Sequence, residues 1–152
     1  MKLATALSER SDLQKRLCQL ESRLRNNARV QEGETPAEDP MQLLEELDSI
    51  VTNLENLVTK INLTNARTII GGETLTAMLS RRDALQQKNN TMRSFLNEAG
   101  NLVSRATRSE IKIKSTVPVS QLQKQVDDLS KEIRLLDEKI QESNWTTDLI
   151  EN

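Results

Sequence analysis

Histidine and tyrosine are absent from this sequence, and cysteine, tryptophan and phenylalanine occur once each, as Cys18, Trp145 and Phe95. Without imidazole there is no histidine acid–base catalysis, no histidine metal site and no Ser-His or Cys-His nucleophile pair. One cysteine makes neither a thiolate zinc cluster nor an internal disulfide, which suits a reducing compartment. Near-absence of aromatics requires an aliphatic core and leaves nothing to stack nucleic-acid bases. Only four glycines and three prolines break 152 residues, and no Walker loop, dinucleotide glycine fingerprint or GxSxG elbow is present. No apolar run approaches a membrane span. The first one ends at Leu7, before Ser8-Glu9-Arg10-Ser11-Asp12, too soon for a signal peptide. The expectation is a cytoplasmic protein with no membrane or nucleic-acid partner.

What is present is helical periodicity. Val119, Leu122, Val126, Leu129, Ile133, Leu136 and Ile140 keep an unbroken 3-4 spacing over 119–143. At about 3.6 residues per turn this draws one narrow apolar stripe along a rod of roughly 38 Å, the seam of a coiled coil or bundle. Residues 2–29 repeat the pattern through Leu3, Ala6, Leu13, Leu17, Leu20 and Leu24, with Arg10 and Asn27 at seam positions. These two are expected to lean aside toward water rather than to be buried as register devices. Residues 41–63 carry two stripes, Leu44, Leu47, Val51, Leu54, Val58 and Ile61 beside Leu43, Ile50 and Leu57, as a helix touching two neighbours needs. A fourth run, 74–104, holds Leu75, Met78, Leu85, Met92, Leu96, Ala99 and Val103 in phase but is interrupted by Arg82 and Asn89.

Between the helices, 30–40 reads as an acidic loop broken by Gly33, Pro36 and Pro40, and 62–74 as a turn in which Arg67 to Ile70 runs extended up to Gly71-Gly72. Residues 110–117 alternate Ile111, Ile113, Ser115 and Val117 against Glu110, Lys112, Lys114 and Thr116, a strand pattern that calls for pairing with 67–70 or with a second subunit. Trp145 and Leu149 are expected to dock as a tail on the helices. The fold class expected is therefore all-α: one domain over 1–152, an antiparallel bundle of long coiled-coil-like helices with one short β element near 110–117.

Net charge is −2, so there is no general pull toward polyanions. Its distribution is uneven: +4 over 1–29 (seven basic, three acidic), −7 over 30–61 (one and eight), +5 over 62–119 (nine and four) and −4 over 120–152 (four and eight). Alternating signs favour consecutive helices as neighbours. Arg105, Arg108 and Lys112 cluster near the strand, and with Arg82 they are the candidate site for an anionic ligand, a phosphorylated metabolite or nucleotide, held between subunits. The competing reading is that these groups pair with acids of the neighbouring helices. Glu45 and Asp48 at i,i+3 could supply half of a magnesium site of the kind all-helical nucleotide pyrophosphatases use. No second pair of clean spacing faces them, so no metal or cofactor is expected.

Several motifs carry a resemblance: Asn27-Ala28-Arg29-Val30-Gln31-Glu32-Gly33-Glu34, Pro36-Ala37-Glu38-Asp39-Pro40, Ile61-Asn62 with Thr64-Asn65, Arg82-Asp83, Arg108-Ser109-Glu110-Ile111-Lys112, and Gln141-Glu142 with Asn144-Trp145-Thr146-Thr147. Together they resemble, nearly end to end, a small bacterial family of uncharacterised helical proteins often labelled septicolysin. That resemblance implies a cytoplasmic helical fold, and the label implies a cytolysin. The residues themselves argue against pore formation, because Cys18 has no tryptophan near it and no amphipathic strand pair is long enough to insert. The function expected is a non-catalytic helical protein that assembles with itself into a homo-oligomer, with the anionic ligand as its refinement. A metal-dependent nucleotide hydrolase and a cytolysin are the alternatives.

Overall fold

A computed structural model of the chain describes residues 1–102 and 112–151. Four helices, α1 (Leu3–Asn26), α2 (Pro40–Arg67), α3 (Leu75–Gly100) and α4 (Val119–Thr146), account for about three quarters of them. The all-α expectation holds, with every helix where an apolar stripe marked one. The chain divides into two compact units, one of residues 1–74 with 143–152 and one of residues 75–142.

In the first unit α1 and α2 pack as an antiparallel hairpin. Ala6, Leu13 and Leu20 of α1 and Asn27 just after it are buried at every seventh position, as are Leu43, Ile50, Leu57 and Thr64 of α2. Matching the two series in opposed order (6 with 64, 13 with 57, 20 with 50, 27 with 43) gives a common sum of 70, in line with the Arg23–Glu46 contact between the helices. The connecting loop is pinned at both ends. Asp39 caps α2 by accepting from the Met41 amide at 3.0 Å, and Pro40 stands in the first turn, where its missing N–H is not needed. Asn27 is buried, contrary to expectation. Its amide donates to the Arg23 carbonyl at 2.9 Å and its oxygen accepts the Glu38 backbone N–H at 3.0 Å, so the side chain satisfies the loop rather than water.

After α2, β1 (Ile69–Ile70) and β2 (Glu73–Thr74) pair antiparallel, Ile69 with Thr74 and Ile70 with Glu73. Gly71 and Gly72 make the turn at φ +59° and +91°, positive at both central positions, the left-handed geometry that tight hairpins demand and glycine supplies. The β element therefore lies at 69–74. The expected strand at 110–117 is corrected: residues 112–117 form no strand, and residues 110 and 111 lie outside the described ones. Ser115 Oγ instead donates to the Val117 carbonyl at 3.1 Å, bending the chain at Pro118 into α4. Alternation with lysines fits a solvated connector as well as a strand, and β1 already has its partner one turn away.

The first unit is closed by the far end of the chain. Leu3 N–H, left without a partner by the start of α1, donates to Thr147 O at 3.0 Å, and Leu149 N–H donates to Met1 O at 2.8 Å. Lys2 Nζ reaches Asp148 Oδ1 at 2.8 Å and Thr146 O at 3.0 Å. Thr64, wholly buried, accepts the Ile150 N–H on its hydroxyl oxygen at 3.0 Å and donates to Lys60 O at 2.8 Å. Leu149 is buried as expected, but Trp145 is 66% exposed. Continuing the α4 stripe past Ile140 lands on Ser143, Asn144 and Thr147, so Trp145 falls outside it.

In the second unit α3 and α4 run antiparallel. Leu75, Met78 and Leu96 of the one and Val126, Leu129, Leu136 and Ile140 of the other are buried. The two polar interruptions of α3 face polar residues of α4. Arg82 meets Asp137 at 3.0 Å, and Asn89 donates to Ser130 Oγ at 3.3 Å. Both pairs again share one sum, 219, which fixes the register.

Candidate functional site

Of the four residues singled out for an anionic ligand, Arg105 and Arg108 lie outside the described residues. Lys112 is exposed in the connector before α4. Arg82 sits 18 residues, about 27 Å of helix, before the end of α3. Its guanidinium touches Asp137 and Asp83, the latter at 3.2 Å, and its side chain is only 24% exposed. Two carboxylates therefore already occupy the donors an anion would use. Arg93 likewise donates to Ser130 Oγ at 2.9 Å, closing a chain in which Ser130 donates onward to Val126 O at 2.9 Å. Glu45 and Asp48 are exposed, and Glu46 beside them is engaged by Arg23 at 3.3 Å. Among the described residues no group of three or more acidic or cysteine side chains is placed to hold a metal ion.

The feature that stands out is a side of the α1–α2 hairpin. The helices are opposed, and each residue turns about 100°, so positions next to the seam sort onto two sides of the pair. One side is polar. Arg23 bridges Glu38 of the loop at 2.6 Å and Glu46 at 3.3 Å, with Arg16 3.8 Å from the same Glu46. The Glu38 carboxylate is held below the usual carboxylate range by its hydrogen bond to Arg23, and the Arg23 guanidinium is held firmly protonated, first by that hydrogen bond and then by the charges of Glu38 and Glu46.

The other side is apolar. From α1 it receives Leu17 and Leu24, half-buried, and Arg10. From α2 it receives Leu47, Leu54 and Val58, half-buried, with Leu44 and Val51 beside them at 42% and 45% exposure. The second α2 stripe was legible in the sequence as a helix needing two neighbours. α1 covers one stripe, Leu43, Ile50 and Leu57; of the other, Ile61 is buried, Leu47, Leu54 and Val58 are half-buried, and Leu44 and Val51 stand open. Arg10 breaks the apolar side from within, its Nε buried and without a hydrogen-bond partner.

A family model, described as a family of unknown function (DUF6847), matches residues 10–149, and the chain belongs to that family. The chain is also similar to a solved structure from Corynebacterium diphtheriae, described as a functionally unknown conserved protein. The two are 42% identical, with 99% of each chain covered and a TM-score of 0.90. Comparison with curated proteins gave no match.

Proposed function

We propose that this protein is a non-catalytic helical protein that assembles with copies of itself through the apolar side of the α1–α2 hairpin. The observation that carries the reading is the open stripe Leu44, Leu47, Val51, Leu54 and Val58, which repeats a 3-4 spacing over four turns and leaves Leu44 and Val51 nearly half exposed. Spaced in this way, apolar residues form a continuous ridge, and covering each such side chain fully is worth about 1.5–3 kcal/mol. Light scattering at micromolar concentration tests it: the wild type gives a multiple of the monomer mass, and Leu44→Glu with Val51→Glu gives the monomer. A wild-type monomer throughout overturns the reading.

The refinement in which the assembly binds an anionic, phosphorylated or nucleotide ligand rests on Arg105, Arg108 and Lys112, Arg82 being already engaged. A thermal-shift panel of nucleotides and simple phosphates decides it, and no shift with any of them removes it. A reducing, cytoplasmic setting fits the lone exposed thiol of Cys18. The cytolysin role that the septicolysin resemblance would bring gains nothing from the described helices, none of which is long and apolar enough to cross a membrane.

A further inference from the structure

We infer that the face of the α3–α4 unit centred on Arg93 is a docking trough for an extended, acidic peptide segment of a partner protein, whose carboxylate Arg93 takes and whose backbone the flanking carboxamides pair. The inference is independent of the self-assembly reading and concerns a different surface.

The first observation is a stripe on α3. Gln86, Asn90, Arg93 and Asn97 follow one another at 4-3-4 spacing, and Asn101 stands four residues further on, just past the helix end. At about 1.5 Å per residue this makes one line of roughly 22 Å, exposed throughout, with Arg93 at its middle. Two hollows follow one another along this line and meet at Arg93. One, of about 750 Å³, has Asn97, Asn101 and Gln123 in its lining, and the other, of about 340 Å³, has Gln86, Asn89, Asn90 and Ser130. No described carboxylate lines either of them, in a chain that carries 23 acidic residues.

The second observation is how Arg93 is held. It donates to Ser130 Oγ at 2.9 Å, and that hydroxyl accepts Asn89 Nδ2 at 3.3 Å and donates to Val126 O at 2.9 Å, which fills its capacity. A neutral partner thus orients the guanidinium through one N–H and leaves the other donors. Among the described residues Arg93 meets no carboxylate, whereas Arg82, farther back on α3, meets two. Such an oriented, unneutralised guanidinium takes a carboxylate bidentately. Asp127, one turn beyond Gln123 on α4, is itself engaged by Gln123 Nε2 at 3.1 Å, which leaves the Gln123 carbonyl oxygen as an acceptor.

The lining decides the class of ligand. A carboxamide carries the donor and the acceptor of a peptide unit, so each can pair side by side with one backbone amide. Peptide units that face the same way along an extended chain recur about every 6.6 Å, against roughly 4.5–6 Å between successive residues of the stripe. Flexible Asn and Gln side chains absorb that difference, and about seven extended residues span the line. Nucleic acid is disfavoured, because no aromatic side chain lines the hollows to stack a base. A small molecule would stay largely wet on a line exposed from end to end, whereas small-molecule sites bury about 70–90% of their ligand.

The test is an array of fluorescein-labelled heptapeptides with Glu, Gln or Lys fixed at the centre and the flanks varied, read by fluorescence anisotropy against the full chain. Glu-centred peptides bind best and Lys-centred ones worst. Arg93→Met weakens Glu-centred binding by about tenfold or more, and Arg93→Glu transfers the preference to Lys-centred peptides. Asn90→Ala with Asn97→Ala weakens every class alike, by about threefold or more. Circular dichroism confirms that each variant keeps its helices, and light scattering gives Arg93→Glu the same mass as the wild type, whatever that mass is. No binding by any peptide overturns the proposal, as does binding indifferent to Arg93→Glu. Displacement of the peptide by inorganic phosphate or free glutamate at equal concentration also overturns it, leaving a small-anion site only.

Discussion

Replacing Thr64 by valine tests how the chain ends are held. Threonine and valine have nearly the same shape and helix propensity, so the substitution exchanges one buried hydroxyl for a methyl group without opening a cavity. Two hydrogen bonds disappear. The one donated to Lys60 O matters little, since that carbonyl stays inside the helical ladder. The one accepted from Ile150 N–H matters more, because it pairs that amide against a wholly buried Thr64. Leaving a buried amide unpaired costs about 1–3 kcal/mol. For a chain of this length each kcal/mol moves Tm by about 2–4 °C, so a fall of about 2–12 °C is expected, together with faster hydrogen exchange at the amides of Leu3, Leu149 and Ile150. The control is the chain ending at Leu149. There the amide in question is gone, and Thr64→Val should lower Tm much less. Equal losses in the full and shortened chains would refute the reasoning and assign the cost to the interior of α2.

At the α3–α4 seam, Asn89→Leu is expected to raise Tm by about 2–4 °C. It removes a buried Oδ1 that has no hydrogen-bond partner and adds apolar contact, while Ser130 keeps its bonds to Val126 O and Arg93. A drop in Tm would mean that the weak 3.3 Å bond to Ser130 holds the register. Acid should loosen the terminal clasp. Lys2 holds the Asp148 carboxyl below its ordinary value, chiefly by hydrogen bonding and then by charge, so the stabilisation is complete above the unfolded carboxylate range of about 4 and is lost as pH falls through the lower folded value. Asp148→Asn should abolish that part of the acid sensitivity and leave neutral-pH helicity intact by circular dichroism. At the hairpin turn, Gly72→Ala forces a side chain onto φ +91° and should destabilise by about 1 kcal/mol in a urea titration, although open space surrounds the new Cβ.

The helices could be read from the sequence because each carries its own evidence. Apolar spacing alone located α1, α2, α3 and α4, and Gly71-Gly72 marked the β-turn. What escaped were features whose cause lies elsewhere in the chain. Asn27 looks like a polar flaw in a seam until the Glu38 N–H, eleven residues on, arrives at its oxygen. The alternation at 112–117 is a local pattern without the neighbouring edge that makes a strand. The clasp of residues 1–3 with 147–149 uses backbone groups, which every residue possesses, so no side-chain pattern announces it. Of the anion site, Arg82 shows the same limit. Its charge was legible, and the carboxylate of Asp137, 55 residues away, was not. The open stripe of α2 is the opposite case, being visible both as a surplus of leucine and valine and as exposed surface.

The clasp also sets an order of events during synthesis on the ribosome. The α1–α2 hairpin emerges first, but the strand-like seal over its open end is made by residues 147–150, which exist only after all of α3 and α4 has been translated. At about 5–20 residues per second that is a wait of roughly 4–15 s. Throughout it, the nascent hairpin carries an unsealed end in addition to its greasy flank, which makes this interval the one in which a holdase chaperone has most to protect.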